Sequence, residues 1–206
     1  MTRKMLIWTV ALVFVMLSAP SISHAGGNSF WVHGGISKAV GNGSEYWKLG
    51  HSFGGTLLFR ITSNFLFGGR LALNKWAPDE SELTKEYRGL GIDWNVTGSA
   101  SILEVVPTIR IVLVTSQAKN FSVFYQFGMG LFRLNLDATV RAYYLNQNLE
   151  MSVKDQDHRH GLSLGAGFTV GKRGSNRFEF LPLFHFVYTE GEKTRYFSVN
   201  FGVSIE

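Results

Sequence analysis

From residue 30 onward, large apolar side chains recur at every second position, the period of a β-strand with one apolar face. The clearest case is the C-terminus, where Phe197, Val199, Phe201, Val203 and Ile205 alternate with Tyr196, Ser198, Asn200, Gly202 and Ser204. Phe178, Phe180, Pro182, Phe184, Phe186 and Tyr188 oppose Arg177, Glu179, Leu181, Leu183, His185 and Val187. Leu162, Leu164, Ala166, Phe168 and Val170 oppose Gly161, Ser163, Gly165, Gly167 and Thr169. Phe121, Val123, Tyr125, Phe127, Met129 and Leu131 face away from Ser122, Phe124, Gln126, Gly128 and Gly130. Between residues 96 and 114, Leu103, Val105, Ile109, Ile111 and Leu113 oppose Gly98, Ala100, Glu104, Thr108 and Arg110. Phe65, Phe67, Leu71 and Leu73 oppose Gly68, Arg70, Ala72 and Asn74, and Phe53, Leu57, Phe59 and Ile61 oppose Ser52, Gly54, Thr56 and Arg60. Phe30, Val32 and Ile36 oppose His33, Gly35 and Ser37. The pattern predicts eight strands, most longer than the usual five or six residues.

The connections alternate in length. Residues 62–64, 115–119 and 172–176 are tight and polar, and all follow even-numbered strands. Residues 77–93 and 136–157 read as long charged loops, with 40–45 and 190–195 intermediate. Short turns therefore gather at one end and long loops at the other.

The two strand faces decide the solvent. One is large and apolar; the other mixes glycine, serine, threonine and isolated charge. Eight strands enclose room for one layer of side chains or one small ligand, and roughly thirty large apolar residues do not fit in that space. Turned outward, those residues meet lipid and the glycine-rich face fills a narrow lumen, as in an up-and-down transmembrane β-barrel. Tyr46, Trp47, Trp76, Trp94, Tyr188 and Tyr196 fall near the longer loops, while Phe30, Phe65, Phe121 and Phe178 fall near the termini or tight turns. Two interfacial aromatic girdles are expected from them.

Composition agrees: 45% of residues are hydrophobic, 17% charged and 14% aromatic, with 23 glycines and no cysteine in 206 residues. The net charge of +5 draws attention to nucleic acid, but the N-terminus accounts for part of it. Arg3 and Lys4 precede an apolar stretch over residues 5–17, and Ser23 and Ala25 stand at −3 and −1 of a cleavage site before Gly26. Residues 1–25 read as a secretory signal peptide and 26–206 as the barrel domain. Removing the signal lowers the charge to +3 and leaves no basic run, so no nucleic-acid partner is expected. Sequons at Asn42, Asn95 and Asn120 carry little weight.

On these strands, and above all on the last, Tyr196-Phe-Ser-Val-Asn-Phe-Gly-Val-Ser-Ile-Glu206, the chain resembles the small eight-stranded bacterial outer-membrane barrels (OmpA/OmpX-like). The resemblance covers the whole mature chain. It implies an all-β, eight-stranded antiparallel up-and-down barrel in the bacterial outer membrane, exported through the Sec pathway. Tight turns would be periplasmic and long loops extracellular. The final strand would be read by the barrel-assembly machinery, although such strands usually end in an aromatic residue and this one ends Ile205-Glu206. Outer-membrane lipid and lipopolysaccharide are the implied partners, with a monomer as the expected state.

Candidate chemistry lies on the lumen parity. Arg60, Arg70, Glu104, Arg110 and Glu179 are the inward charges, surrounded by His33, Gln126, His185 and Asn200. Buried charge must pair, so Glu104 is expected to meet Arg70 on the adjacent strand. Glu179 is expected to meet Arg110 or Arg60 across the lumen near the tight-turn end. Such a cluster serves as a polar plug or, alternatively, as a gate. His33 with Ser37, or His185 with Ser198 and Glu179, would imitate a Ser-His-acid triad, but no local motif marks a serine nucleophile. Asp155, Asp157, His158 and His160 fall together in the third long loop, where Arg159 adds like charge to any cation, and a solvated loop is expected there. The charges of the second loop (Asp79, Glu80, Glu82, Lys85, Glu86, Arg88) are candidates for lipopolysaccharide contact. No cofactor or metal is expected. The sequence thus points to a non-enzymatic barrel with an envelope-structural or surface-interaction role. Passage of a small hydrophobic molecule, or a barrel-embedded lipid-modifying enzyme, are the alternatives.

Overall fold

The structure is a computed structural model that describes residues 28–41, 43–85, 93–116, 120–144, 147–172, 176–188 and 193–205. The side chains of residues 93–94, 114–116, 144, 147 and 193 are outside that description. So are residues 1–25 of the expected signal, Asn42, Glu86, Arg88 and Glu206.

Eight strands follow the predicted alternation: β1 (Ser29–Val40), β2 (Gly50–Arg60), β3 (Phe65–Trp76), β4 (Asp93–Ser116), β5 (Phe121–Tyr144), β6 (Gln147–Val170), β7 (Phe178–Tyr188) and β8 (Lys193–Ile205). Each pairs antiparallel with its sequence neighbour, and β1 closes the ring on β8, with Phe30 opposite Ile205. Closure leaves no free edge around the barrel wall, which is what allows a sheet to stand in hydrocarbon. Two prolines interrupt the ladder. The β4–β5 pairing skips residues 106 and 107 at Pro107, and the β6–β7 pairing skips 181 and 182 at Pro182, because proline has no N–H to donate.

The parity assignment separates the faces. Phe53 is 66% exposed, Met129 68% and Phe201 60%, whereas Ser52, Gln126 and Asn200 on the alternate positions are 0–3% exposed. Small lumen residues are required by close approach. A Cβ on Gly68 would lie 1.8 Å from the Leu57 carbonyl oxygen, and one on Gly202 would lie 2.6 Å from Nδ1 of His33.

The segment 136–157 corrects the sequence expectation. It is a continuation of β5 and β6 rather than a loop, paired residue for residue from Leu136↔Asp155 to Tyr144↔Gln147. Its charge content suggested a loop, yet Leu136, Ala138, Val140 and Ala142 and then Leu149, Met151 and Val153 keep the period of two. Neighbouring strands stop earlier: Trp76 of β3 pairs with Ala100, and Tyr188 of β7 pairs with His160. Among the described residues, 93–99 of β4 and 147–159 of β6 therefore pair with β5 alone, as a three-stranded sheet standing beyond the barrel rim. At about 3.3 Å per residue its longest edge runs about 40 Å.

The connection 77–93 also contains a short helix, α1 (Glu80–Leu83), capped by Asp79. The Ser81 hydroxyl and backbone N–H both donate to that carboxylate, and the hydroxyl bond in particular holds it below the usual carboxylate range.

The expected girdles are rearranged. Tyr46 and Tyr188 are exposed near the long-loop rim, as are Phe30 and Phe178 at the other end, with Phe65 and Phe121 half-buried. Trp76 and Tyr196 instead turn into the lumen, 4% and 1% exposed, and Trp47 packs against them. Their parity required this: Tyr196 shares a face with Ser198 and Asn200. The side chain of Trp94 lies outside the described residues.

Candidate functional site in the barrel lumen

The lumen is filled from end to end by two polar networks between apolar seals. At the tight-turn end, Trp31 packs with Leu58 and Leu66. The Arg110 guanidinium lies 5.7 Å from the Trp31 ring and 3.9 Å over the Phe124 ring. It is held on its other sides by acceptors. Nη1 and Nη2 donate to the two oxygens of Glu179 at 2.5 and 3.0 Å, while Nε and Nη2 donate to Oε1 of Gln126 at 3.1 and 2.7 Å. This is the fork geometry in which arginine binds a carboxylate best. His33 completes the group, with Nδ1 3.7 Å from Glu179 and Nε2 3.0 Å from the Thr56 hydroxyl. Arg60, half-buried at the edge of this group, donates to the Ser63 carbonyl in the β2–β3 turn.

The second network sits toward the long-loop end. Arg70 Nε donates to Glu104 Oε1 at 3.2 Å, and its Nη2 reaches Oδ1 of Asn200 at 3.4 Å. Asn200 in turn accepts from Ser52 and donates to Ser198 and to the Leu181 carbonyl. Asn74 spans Glu104 and the Tyr196 hydroxyl. His185 lies with Nδ1 3.3 Å from Glu104 Oε2 and Nε2 3.1 Å from the Ser198 hydroxyl. Tyr196 stacks flat on the His185 ring at 4.1 Å between centroids. Above these groups Trp76, Ile102, Val106, Phe132, Val187 and Tyr196 form a buried apolar layer.

Each network pairs one buried arginine with one buried glutamate, as buried charge requires. The register explains the partners. Ala72 opposes Glu104, which sets Arg70 diagonally beside it on the inward face. Glu179 and Arg110 lie on non-adjacent strands and meet only because the lumen is narrow enough for two long side chains to span.

The triad-like arrangements differ from expectation. His33 meets Thr56 and Glu179 rather than Ser37, and the acid beside His185 is Glu104 rather than Glu179. Glu104, His185 and Ser198 have the connectivity of an acid-imidazole-hydroxyl chain, but all three are 0% exposed. A cavity of about 360 Å³ at the long-loop mouth has Trp47, Trp76, Ile102, Leu134, Asp155 and Tyr196 in its lining, and neither His185 nor Ser198.

The Asp155–His160 run is part of β6 rather than a solvated loop, and its alternation separates the candidate ligands. Asp155 and Asp157 share a parity with Arg159, whose Nη2 lies 2.5 Å from Asp157, while His158 and His160 occupy the opposite face. Among the described residues no group of three potential ligands is placed to hold a metal ion.

A ring of eight antiparallel up-and-down strands with apolar residues outside and a filled polar interior is the fold of the small outer-membrane β-barrels. Solved structures share it. Ail, the attachment invasion locus protein of Yersinia pestis, in complex with the heparin analogue sucrose octasulfate, matches with a TM-score of 0.50 and 12% identity, over 86% of this chain and 97% of that one. Neisserial surface protein A matches at 0.49 with 11% identity, over 87% of this chain and 97% of that one. The outer membrane enzyme PagL matches at 0.40 with 11% identity, over 87% of this chain and 99% of that one. No family model matches the sequence, and no curated relative does. Identities this low speak for the fold alone.

Proposed function

We propose that this protein is a monomeric, non-enzymatic outer-membrane barrel whose role is surface interaction through the sheet that projects beyond its rim. In this reading residues 1–25 are removed on Sec-dependent export, and the barrel-assembly machinery inserts the chain by way of β8. The observation that carries it is the contrast between the two halves of the molecule. The lumen is packed shut by balanced charge pairs and apolar layers, while β4, β5 and β6 continue far beyond the point where the barrel needs them. Passage of a small hydrophobic molecule is disfavoured by the same packing. The structural neighbours are outer-membrane proteins, which supports the placement.

The test is a cell expressing the full chain, or the chain with residues 138–153 replaced by an Asn-Gly turn. Outer-membrane fractionation and heat-modifiable electrophoretic mobility report assembly, and adherence to wells coated with heparin, collagen or fibronectin reports the surface role. The expected result is equal assembly with reduced adherence of the shortened chain. Equal adherence by both would remove the surface role and leave the envelope-structural one.

One observation favours a second reading. The Glu104-His185-Ser198 chain has the hydrogen-bond order of a hydrolase triad, as a lipid-modifying enzyme requires. Its complete burial argues for a structural use. Ser198→Ala separates the two: a hydrolase loses its activity on lipid ester, whereas a structural chain loses only stability.

A further inference from the structure

Beyond the barrel rim the projecting sheet keeps two unlike faces. Its inward-parity positions pair apolar with apolar: Ala138 with Val153, Val140 with Met151 and Ala142 with Leu149. The outward ones pair Asp137 with Lys154, Thr139 with Ser152 and Arg141 with Glu150. The apolar face is therefore the one continuous with the barrel lumen.

The foot of that face forms part of the mouth cavity. Leu134, Leu136, Asp155 and Asp157 enter its lining from the sheet, and Trp47 enters from the β1–β2 connection. Trp47 is fixed by its surroundings. Its backbone bridges to Pro78, Lys38 donates to its carbonyl, and the next N–H along, that of Lys48, donates to the Ala77 carbonyl. A wall held in this way is preformed, which lowers the ordering cost of binding. The volume of about 360 Å³ suits a small organic molecule.

Charge selects the ligand. Asp155 stands in apolar surroundings, opposite Leu136, diagonal to Leu134 and Ala138 and two residues from Val153. Among the described residues no hydrogen bond or ion pair engages its carboxylate. Asp157, the other acid of the lining, is already paired with Arg159. Arg195 also belongs to the lining, but it lies on the outward parity of β8, next to the inward Tyr196, and is exposed.

An unpaired carboxylate beside an indole and an aliphatic wall is complementary to an ammonium carried on an apolar body. The charge is attracted to the carboxylate and to the ring face, and the body displaces water from apolar surface. We propose that the mouth cavity binds an organic amine, with its ammonium at Asp155 and its apolar body against Trp47, Leu134 and Leu136. A ligand that carries a carboxylate in place of the amine meets Asp155 as a like charge and is rejected. The amine site needs the barrel fold but no surface partner, so it does not depend on adherence.

The test uses full-length protein folded in zwitterionic lipid nanodiscs and titrated with phenethylamine. Phenethyl alcohol and hydrocinnamate serve as the neutral and anionic twins, and backbone amide and indole NMR shifts are the readout. Phenethylamine should give saturable shifts around Trp47, Leu136 and Asp155, and bind about fivefold more tightly than the alcohol, the worth of an exposed ion pair. Hydrocinnamate should bind more weakly than either. Asp155→Asn should bring amine and alcohol to equal affinity, whereas Asp155→Glu should keep the preference. An amine that binds no more tightly than the alcohol, or a preference that survives in Asp155→Asn, overturns the proposal. Shifts spread evenly over the lipid-facing strands, as partition into the bilayer alone would give, overturn it too. Heat-modifiable mobility, recorded on every sample, shows that each variant compared is a folded barrel.

Discussion

Arg110 and Glu179, 69 residues apart in the chain, meet across the lumen as a two-pronged ion pair that solvent does not reach. Removing both charges is a different perturbation from removing one. Glu179→Leu leaves the Arg110 guanidinium buried among Trp31, Phe124 and Gln126 with one neutral acceptor, and should destabilise the barrel by about 3–5 kcal/mol. The double variant Arg110→Met, Glu179→Leu should lie close to wild type, because an apolar pair also relieves the desolvation cost of two charges. Urea unfolding of the protein in lipid vesicles, followed by Trp fluorescence, measures both. A double variant no better than the single one would mean that the pair has a role other than filling space.

Two glycines of β1 and β8 make a matched test of how tightly the interior is packed. Gly202 faces inward beside the His33 ring, where a Cβ would come within 2.6 Å of Nδ1. Gly34 faces outward with nothing within 4 Å of the equivalent position. Gly202→Ala should cost about 1–3 kcal/mol through overpacking, with His33 displaced from Thr56. Gly34→Ala should be neutral or slightly stabilising, since it only restricts the unfolded chain. The comparison is read from unfolding midpoints in the same lipid. Equal effects would show that the lumen yields freely around His33.

Much of this architecture was written in the period-two alternation, because a side chain's face in a strand follows from its parity alone. Closed eight-strand topology, the inward set of charges and the Arg70–Glu104 contact all follow from that rule plus adjacency. Where residue type and parity conflict, parity decides the face. Trp76 and Tyr196 looked like interfacial aromatics by kind, yet their positions put them on the lumen face with Asn74 and Ser198. Charge over residues 136–157 suggested a loop, although Val140, Met151 and Val153 continued the strand pattern outward.

The packing of the lumen predicts its electrical behaviour. Among the described residues, Trp31, Leu58 and Leu66 form a buried apolar cluster at one end and Trp76, Phe132 and Tyr196 one at the other, with the charge pairs buried between them. The protein reconstituted in a planar bilayer should give no sustained conductance steps under moderate voltage. Stable, reproducible steps from the wild-type protein would contradict a filled interior and restore the gate reading of the Arg70–Glu104 and Arg110–Glu179 pairs.

The projecting sheet should be the least stable part of the fold, for reasons visible in its partners. Among the described residues, 147–159 have β5 on one side and no strand paired on the other, which leaves half of their backbone groups outside any ladder described. The ion pairs that span it, Arg141–Glu150 and Asp137–Lys154, are exposed and contribute little in water. By contrast, residues 162–165 of the same strand are paired on both sides, with β5 and with β7. Hydrogen exchange in lipid should therefore divide β6 sharply near His160, with the wall amides protected to the level of global unfolding and the outer ones exchanging through local opening. Protection should also alternate within 147–159, since only every second amide on that strand points to β5. Uniform strong protection across this stretch would show that its free edge is covered, by a second copy or by another part of the chain. The projecting sheet would then be a buried interface rather than the open surface proposed for it.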